Sequence, residues 1–381
     1  MLLTKGFEVE MYTGTPDGKV VGLSDRVVAE LEGFVREPDS RNVEYTTPPL
    51  CRYEQLLCEL VRPRLRLRQF LAQLGNYTLL PGSTLSLGDS QRFYRSDPHN
   101  PYHGYIEQTY GTKVVTASVH INVGIADPEL LLRACRLVRL EAPLWLALTA
   151  SSPFLDGELT GYHSTRWQIF PQTPAAVPLF ESHAHHIAWT QTQLRLGTMQ
   201  NVRHLWSSVR PNGDNRPYGL NRLELRICDL VTDPLLLLAV TALLEARLLQ
   251  LQADPSLDPL SASQLPASTR HEDLLAMTLE NERAVAHQSL DAQLRHWSDG
   301  RSITAHDWIA QLYQAVYPTA KAYGIACFLA PIQQVLREGN QAQQWIKQVR
   351  SGDAIASAIA QSARVMDLQE KALRSDICAP A

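Results

Sequence analysis

Residues 5 to 12, KGFEVEMY, alternate polar and apolar positions. That period predicts a strand with Phe7, Val9 and Met11 facing a core and Glu8 and Glu10 on the opposite face. From about Ser24 the period changes to three and four, with Val27, Val28, Leu31 and Phe34 forming the apolar stripe of a helix. Residues 42 to 47 are β-branched and aromatic and return to strand before Pro48-Pro49 ends it. A long helix follows over 51 to 74, and its arginines, Arg62, Arg64, Arg66 and Arg68, are expected on a solvated surface. Residues 81 to 111 have no period, are rich in Gly, Pro, Ser and aromatics, and read as a lid or binding loop.

A strand over 114 to 125 sets Ser118, His120 and Asn122 on one face, and Asp127-Pro128-Glu129 then starts a Leu-rich helix over 130 to 142. The same grammar recurs at NRLELRIC, residues 221 to 228. There Glu224 and Arg226 share a face opposite Leu223, Leu225 and Ile227, and Asp233-Pro234 leads into an apolar helix over 235 to 252. Beyond a Pro/Ser-rich connection the chain reads as helical, near 270–290, 304–319, 328–350 and 353–375. The expected architecture is α+β. Residues 1–252 form a catalytic sheet with its helices, and 253–381 form a helical scaffold packed on the same domain.

Composition narrows the partners. The 381 residues are 45% hydrophobic and 19% charged, enough for a sizeable core, and a net charge of -4 without a basic stripe argues against nucleic acid. Six dispersed cysteines read as reduced thiols, and the start lacks the pattern of a leader. The run Leu235 to Leu244 is too short for a bilayer, so a cytoplasmic protein with a small-molecule substrate and no membrane partner is expected. No phosphate-loop, dinucleotide, GxSxG or HExxH motif occurs.

The candidate chemistry lies on strand faces. Glu8 and Glu10 stand about 6 to 7 Å apart along one strand and repel unless a cation lies by them; the alternative is a solvated face. Glu44 is a third strand acid, and His120 is either a metal ligand or a hydrogen-bonded structural residue. Glu224 beside Arg226 suits a divalent ion next to a phosphate, or else a surface ion pair. Arg166 has few acids near it in sequence and is free to meet an external carboxylate or phosphate. The cluster His183, His185, His186 looks like a metal tract, but on a surface helix it offers no tidy ligand set.

Taken in order, GFEVEMY, NVEYTTPP, ASVHINVGIADPE, SSPFLDGELTGYHSTRWQIFP and VRP…NRLELRICD resemble the glutamate-cysteine ligases of the second, carboxylate-amine ligase type, in its cyanobacterial form. The resemblance covers roughly residues 5 to 250. It implies a glutamine-synthetase-like fold, in which a curved antiparallel sheet forms a funnel with helices outside. It further implies ATP-dependent joining of L-glutamate to L-cysteine through a γ-glutamyl phosphate, with Mg2+, or Mn2+ in its place. By that resemblance Glu8, Glu10, Glu44, His120 and Glu224 are the metal ligands. Arg226 meets the transferred phosphate, Arg166 holds glutamate, and Arg210 contacts nucleotide or phosphate. Asn122 departs from the HxH found in many relatives, and monomer and homodimer both remain open. A ligase of the same fold with another acid or amine, a regulatory protein that has lost the reaction and a metal-dependent hydrolase are the alternatives. Glu224→Gln is expected to lower turnover with folding intact.

Overall fold

The computed structural model describes residues 1–376. Seven antiparallel strands form the main sheet: β1 (Lys5–Gly14), β2 (Phe34–Arg36), β3 (Asn42–Thr46), β4 (Thr78–Leu80), β5 (Val119–Gly124), β8 (Val209–Asn212) and β9 (Arg222–Leu225). Two small hairpins, β6 (Phe154–Leu155) with β7 (Glu158–Leu159) and β10 (Gln293–Arg295) with β11 (Ser302–Thr304), stand apart from it. The order in the main sheet is β2-β3-β1-β5-β9-β8, with β4 on the far part of β1, so the sheet is open. This is the expected α+β architecture.

Helices make up most of the remainder. α1 (Ser24–Glu30), α2 (Tyr53–Leu74), α3 (Pro101–Tyr110), α4 (Pro128–Thr149), α5 (Thr165–Ile169), α6 (His183–Leu196) and α7 (Pro234–Ala253) belong to the first two thirds of the chain. α8 (Pro259–Ala262), α9 (Arg270–Gln288), α10 (Ala305–Ala322), α11 (Ala330–Glu338), α12 (Gln341–Arg350) and α13 (Ile355–Asp376) follow. The two Asp-Pro signals work as expected: Asp127 accepts from Leu130 N and Asp233 from Leu235 N, starting α4 and α7. Most residues of both helices are buried, and α4 packs against β8, β9 and α7. At roughly 1.5–3 kcal/mol per buried Leu side chain, these two helices are a main source of the fold's stability. α4 also lies against the sheet's apolar face, with α7 packed on α4, leaving the other face for polar side chains. α7 is long and apolar enough to cross a membrane, but 83% of its apolar window is buried inside the protein.

Several local expectations are corrected by the fold. Phe34 is not on the first helix. The helix ends at Glu30, where Leu31 is already extended; Gly33, at φ +90°, makes the turn that follows, and Phe34 opens β2 with its ring in the core. The aperiodic stretch over 81–111 contains α3, whose Asn100 cap accepts from Tyr102 N ahead of Pro101. Hairpin β10–β11 interrupts the helical C-terminal part, its three-residue strands being too short for a period to show. Arg64 and Arg68 are buried, because residues four apart share one helix face; Arg64 Nε donates to Tyr45 Oη (2.9 Å) and Arg68 Nε to Glu370 Oε2 (2.7 Å). His186 is also buried, so α6 is not a purely surface helix. Cys51, Cys135, Cys228 and Cys327 are free, Cys58 is disulfide-bonded against the expectation of reduced thiols, and Cys378 lies outside the described residues.

Candidate active site

Register places the polar residues of neighbouring strands in one row. Glu10 is the Cα partner of Glu44 across β1–β3, and Glu8 that of His120 across β1–β5. Asn122 is opposite Glu224 across β5–β9, and Glu224 opposite Arg210 across β8–β9. Directly opposed residues point to the same side of a sheet, so this row shares one face while Phe7, Val9, Met11, Val119, Ile121, Leu223 and Leu225 fill the core on the other.

The acids gather into two groups, each with ligand atoms within 4.8 Å of one another: Glu8, His120 and Glu224, and Glu10, Glu37 and Glu44. Glu37 was not anticipated. It lies just past β2, where Val35 is the partner of Glu44, so Glu37 falls two residues on along the same face. The Glu-Pro step after a short strand was its only signal. Oxygen-rich sets with a single imidazole suit a hard divalent cation such as Mg2+.

Electrostatics agree with that use. Burial, more than anything else, pushes the Glu44 carboxyl up to about 7, with Glu10 and Glu8 adding to it against a hydrogen bond from Glu37. Glu37 is raised well above the usual range by burial and by Glu44 and Glu10. Three carboxylates held this close therefore keep a proton unless a cation replaces it. Burial and Glu224 push Glu8 upward, but His120 and Arg226 outweigh them and hold it below the ordinary value.

Glu224 is arranged differently from the expectation of an open ligand. It is completely buried, and its oxygens accept from Arg210 Nε (2.6 Å), Arg210 Nη2 (3.0 Å), Asn212 Nδ2 (2.6 Å) and Arg226 Nη1. Burial opposes its charge, yet the two guanidiniums hold its carboxyl well below the usual range. The sequence alternative of a surface ion pair is thereby excluded. Arg210 and Arg226 are bound to Glu224 and at the same time line the cavity above it.

That cavity has a volume of about 290 Å³. Its walls carry Glu8, Glu10, Glu37, Glu44 and His120 as well as Arg36, Arg166, Arg203, Arg210 and Arg226. Arg36 and Arg203 were not anticipated either; they reach the cavity only through the tertiary path of the chain. Ser118 Oγ donates to Glu10 Oε2 (2.7 Å), and Asn122 Nδ2 donates to Glu8 Oε1 (3.1 Å), so the short polar residues around His120 orient the acids. The Asn122 amide oxygen is buried without a partner.

Arg166 is not the unengaged cation that the sequence suggests. Its Nη1 and Nη2 donate to the Ile227 and Arg226 carbonyls (3.1 and 3.0 Å), and Asp229 Oδ1 lies 3.7 Å away. Its Nε is buried without a partner, while other atoms of the residue line the cavity. The α6 histidines take no part: His183 Nε2 contacts the Pro217 carbonyl (2.9 Å), and neither ligand group includes any of them. A larger cavity of about 380 Å³, bounded by α7, α11, α12 and α13, includes none of the clustered acids.

The fold is similar to that of proteins of known structure. A glutamate-cysteine ligase from Francisella tularensis, solved in complex with AMP, aligns with a TM-score of 0.75 at 14% identity, covering 98% of this chain and 89% of that one. A bifunctional glutathione synthetase from Pasteurella multocida gives 0.76 at 14% identity, with 98% of this chain on 53% of that one. At this identity the likeness concerns the fold alone. Among sequences, "Putative glutamate--cysteine ligase 2-1" of Rubrobacter xylanophilus is 27% identical over 87% of this chain and 85% of its own length. A similarly named protein of Sorangium cellulosum is 28% identical over 82% and 81%. The chain belongs to glutamate-cysteine ligase family 2, whose model matches residues 4–363, and is thus an ATP-dependent ligase.

Proposed function

We propose that the protein joins the γ-carboxylate of L-glutamate to the amine of L-cysteine while ATP becomes ADP and phosphate. The observation that carries this reading is the single cavity that gathers an acid cluster and five arginines. A carboxylate is a poor electrophile, so the reading begins with attack of a γ-carboxylate oxygen on the γ-phosphorus of ATP, expelling ADP. The cysteine amine then attacks the acyl phosphate carbon, phosphate leaves with that oxygen, and the ammonium proton is released. Mg2+, or Mn2+ in its place, would supply charge neutralisation along the triphosphate when bound.

In this reading Glu8, Glu10, Glu44, His120 and Glu224 hold the divalent ions, with Glu37 added by its place in the second acid group. Arg226 meets the transferred phosphate, with Arg210 beside it as the contact to nucleotide or phosphate. Both stay aligned because Glu224 holds them from below. Arg166 receives the carboxylate of glutamate, and its place in the cavity wall supports that role. Residues 1–252 and 253–381 act as one catalytic unit, and the setting is the cytoplasm. The test is phosphate release by the purified protein with ATP and Mg2+. Release is expected only when glutamate and cysteine are both present. Equal release with water as the sole acceptor rejects the ligase reading in favour of a hydrolase, and release with a different amine moves it to another substrate pair.

A further inference from the structure

We propose that Asp229 is a positioning residue for recognition of the acid substrate: held by buried donors from three serines, it fixes the Arg166 guanidinium that lines the cavity. This rests on the ligase reading and deepens it, since it names the group that sets affinity for the carboxylate. Asp229 lies just past the end of β9, where it bridges to Ser118; it is fully buried and does not line the cavity itself.

Its oxygens accept from Ser151 N (2.9 Å), Ser152 Oγ (2.7 Å) and Ser164 Oγ (2.9 Å), and Arg166 Nη1 lies 3.7 Å away. Two of these serines also grip the short helix α5. Ser152 Oγ accepts from Arg166 N (3.2 Å), and Ser164 Oγ accepts from Trp167 N (3.2 Å) as the cap. The helix turn that carries Arg166 therefore hangs on one carboxylate through its backbone, its cap and its guanidinium. The same Nη1 donates to the Ile227 carbonyl and Nη2 to the Arg226 carbonyl, which leaves Nε as the one nitrogen without a partner. A guanidinium so anchored, on a helix turn held by the same carboxylate, loses little freedom when a carboxylate arrives. Weakening Asp229 loosens the turn and the charge beside Nη1 together, and that loss falls on the acid substrate.

The test compares wild type with Asp229→Asn and Ser164→Ala. It uses phosphate release with ATP, Mg2+, glutamate and cysteine, and calorimetric titration of glutamate into the protein with Mg2+ and a non-hydrolysable ATP analogue, so that no phosphate is transferred during the titration. Asp229→Asn is expected to raise KM for glutamate by about 10-fold or more and to weaken its titrated affinity in step, with KM for ATP and kcat moving less than about 3-fold. Ser164→Ala is expected to raise the glutamate KM by about 3-fold. An unchanged glutamate KM in folded Asp229→Asn overturns the proposal, as does a fall in kcat with every KM shifted in parallel to a lowered Tm. Should Asp229→Asn not fold, Ser164→Ala decides by the same readings. A wild-type protein that releases no phosphate with the two substrates rejects the ligase reading and this substrate assignment with it. A competent wild type with an unmoved glutamate KM in the variants rejects only the role of Asp229.

Discussion

Glu10 and Glu44 are Cα partners across the β1–β3 ladder, two carboxylates directly opposed on one sheet face, with a ligand atom of Glu37 within 4.8 Å of theirs. Like charges so placed cost roughly 0.2–1 kcal/mol in a protein without a cation. A fold that keeps them does so against its own stability, which is the usual mark of a binding function.

From this pair, Glu44→Gln should separate stability from activity. The variant should be as stable as wild type or more so, by up to about 1 kcal/mol, because it removes a carboxyl whose ionisation burial, Glu10 and Glu8 all oppose. Turnover should fall by about 100-fold or more, through loss of an ion-holding oxygen. Urea unfolding in chelator and the phosphate assay check both halves. A less stable variant with normal turnover would sink the metal role of this face.

Glu224 calls for a revised expectation. From sequence, Glu224→Gln is expected to fold normally, but the carboxylate is fully buried between Arg210 and Arg226. Removing that charge leaves two buried guanidiniums uncompensated, a loss of about 3–5 kcal/mol. Turnover should fall as well. Adding Arg210→Gln should recover part of the stability and none of the turnover. Denaturation midpoints of the single and double variants decide this, and equal midpoints for wild type and Glu224→Gln would count against the geometry.

A second buried pair ties the start of β1 to the core. Lys5 Nζ lies 2.8 Å from Glu245 Oε2, both side chains are 0% exposed, and Tyr53 Oη donates to the same oxygen (2.7 Å). Glu245→Gln should cost about 3–5 kcal/mol, whereas the double change Lys5→Met with Glu245→Leu should cost far less, since no charge is then left buried alone. Urea unfolding of the three proteins is the measurement, and a single variant as stable as the double would refute it.

His186 supplies a pH dependence. Burial, with the charges of His183 and His185 added, pushes its pKa down to about 4, below the ordinary 6.5 of the unfolded chain. The unfolded state therefore binds more protons between these values, so this contribution is complete above 6.5 and is lost as pH falls toward 4. The span is on the order of 3 kcal/mol, from a pKa of about 4 in the fold. His186→Phe should flatten the slope of stability against pH in that window. An unaltered slope between pH 4 and 6.5 would show that other groups carry it.

Much of the site is legible in local pattern. A two-residue period fixes which face a side chain takes whatever the rest of the chain does, so Glu8 with Glu10, Ser118 with His120, and Glu224 with Arg226 can be assigned to faces from a few neighbours. Asp-Pro steps at 127 and 233 locate the starts of α4 and α7 for a similarly local reason, a side-chain oxygen meeting a nearby amide. Burial misleads where it depends on distant partners. Arg64 and Arg68 read as solvated because α13, which brings Glu370 against them, is far away in sequence, and Arg166 reads as unengaged for want of Asp229.

Which strands are neighbours is a property of the whole chain. Only the order β2-β3-β1-β5-β9-β8 brings Glu37 and Glu44 to Glu10, sets His120 beside Glu8, and closes Arg210 onto Glu224. Sequence periodicity thus assigned side chains to faces, because backbone geometry repeats over two to four residues. Long-range pairing chose their companions, because strands tens of residues apart become neighbours only when their apolar faces meet in one core, behind which α4 packs on β8 and β9.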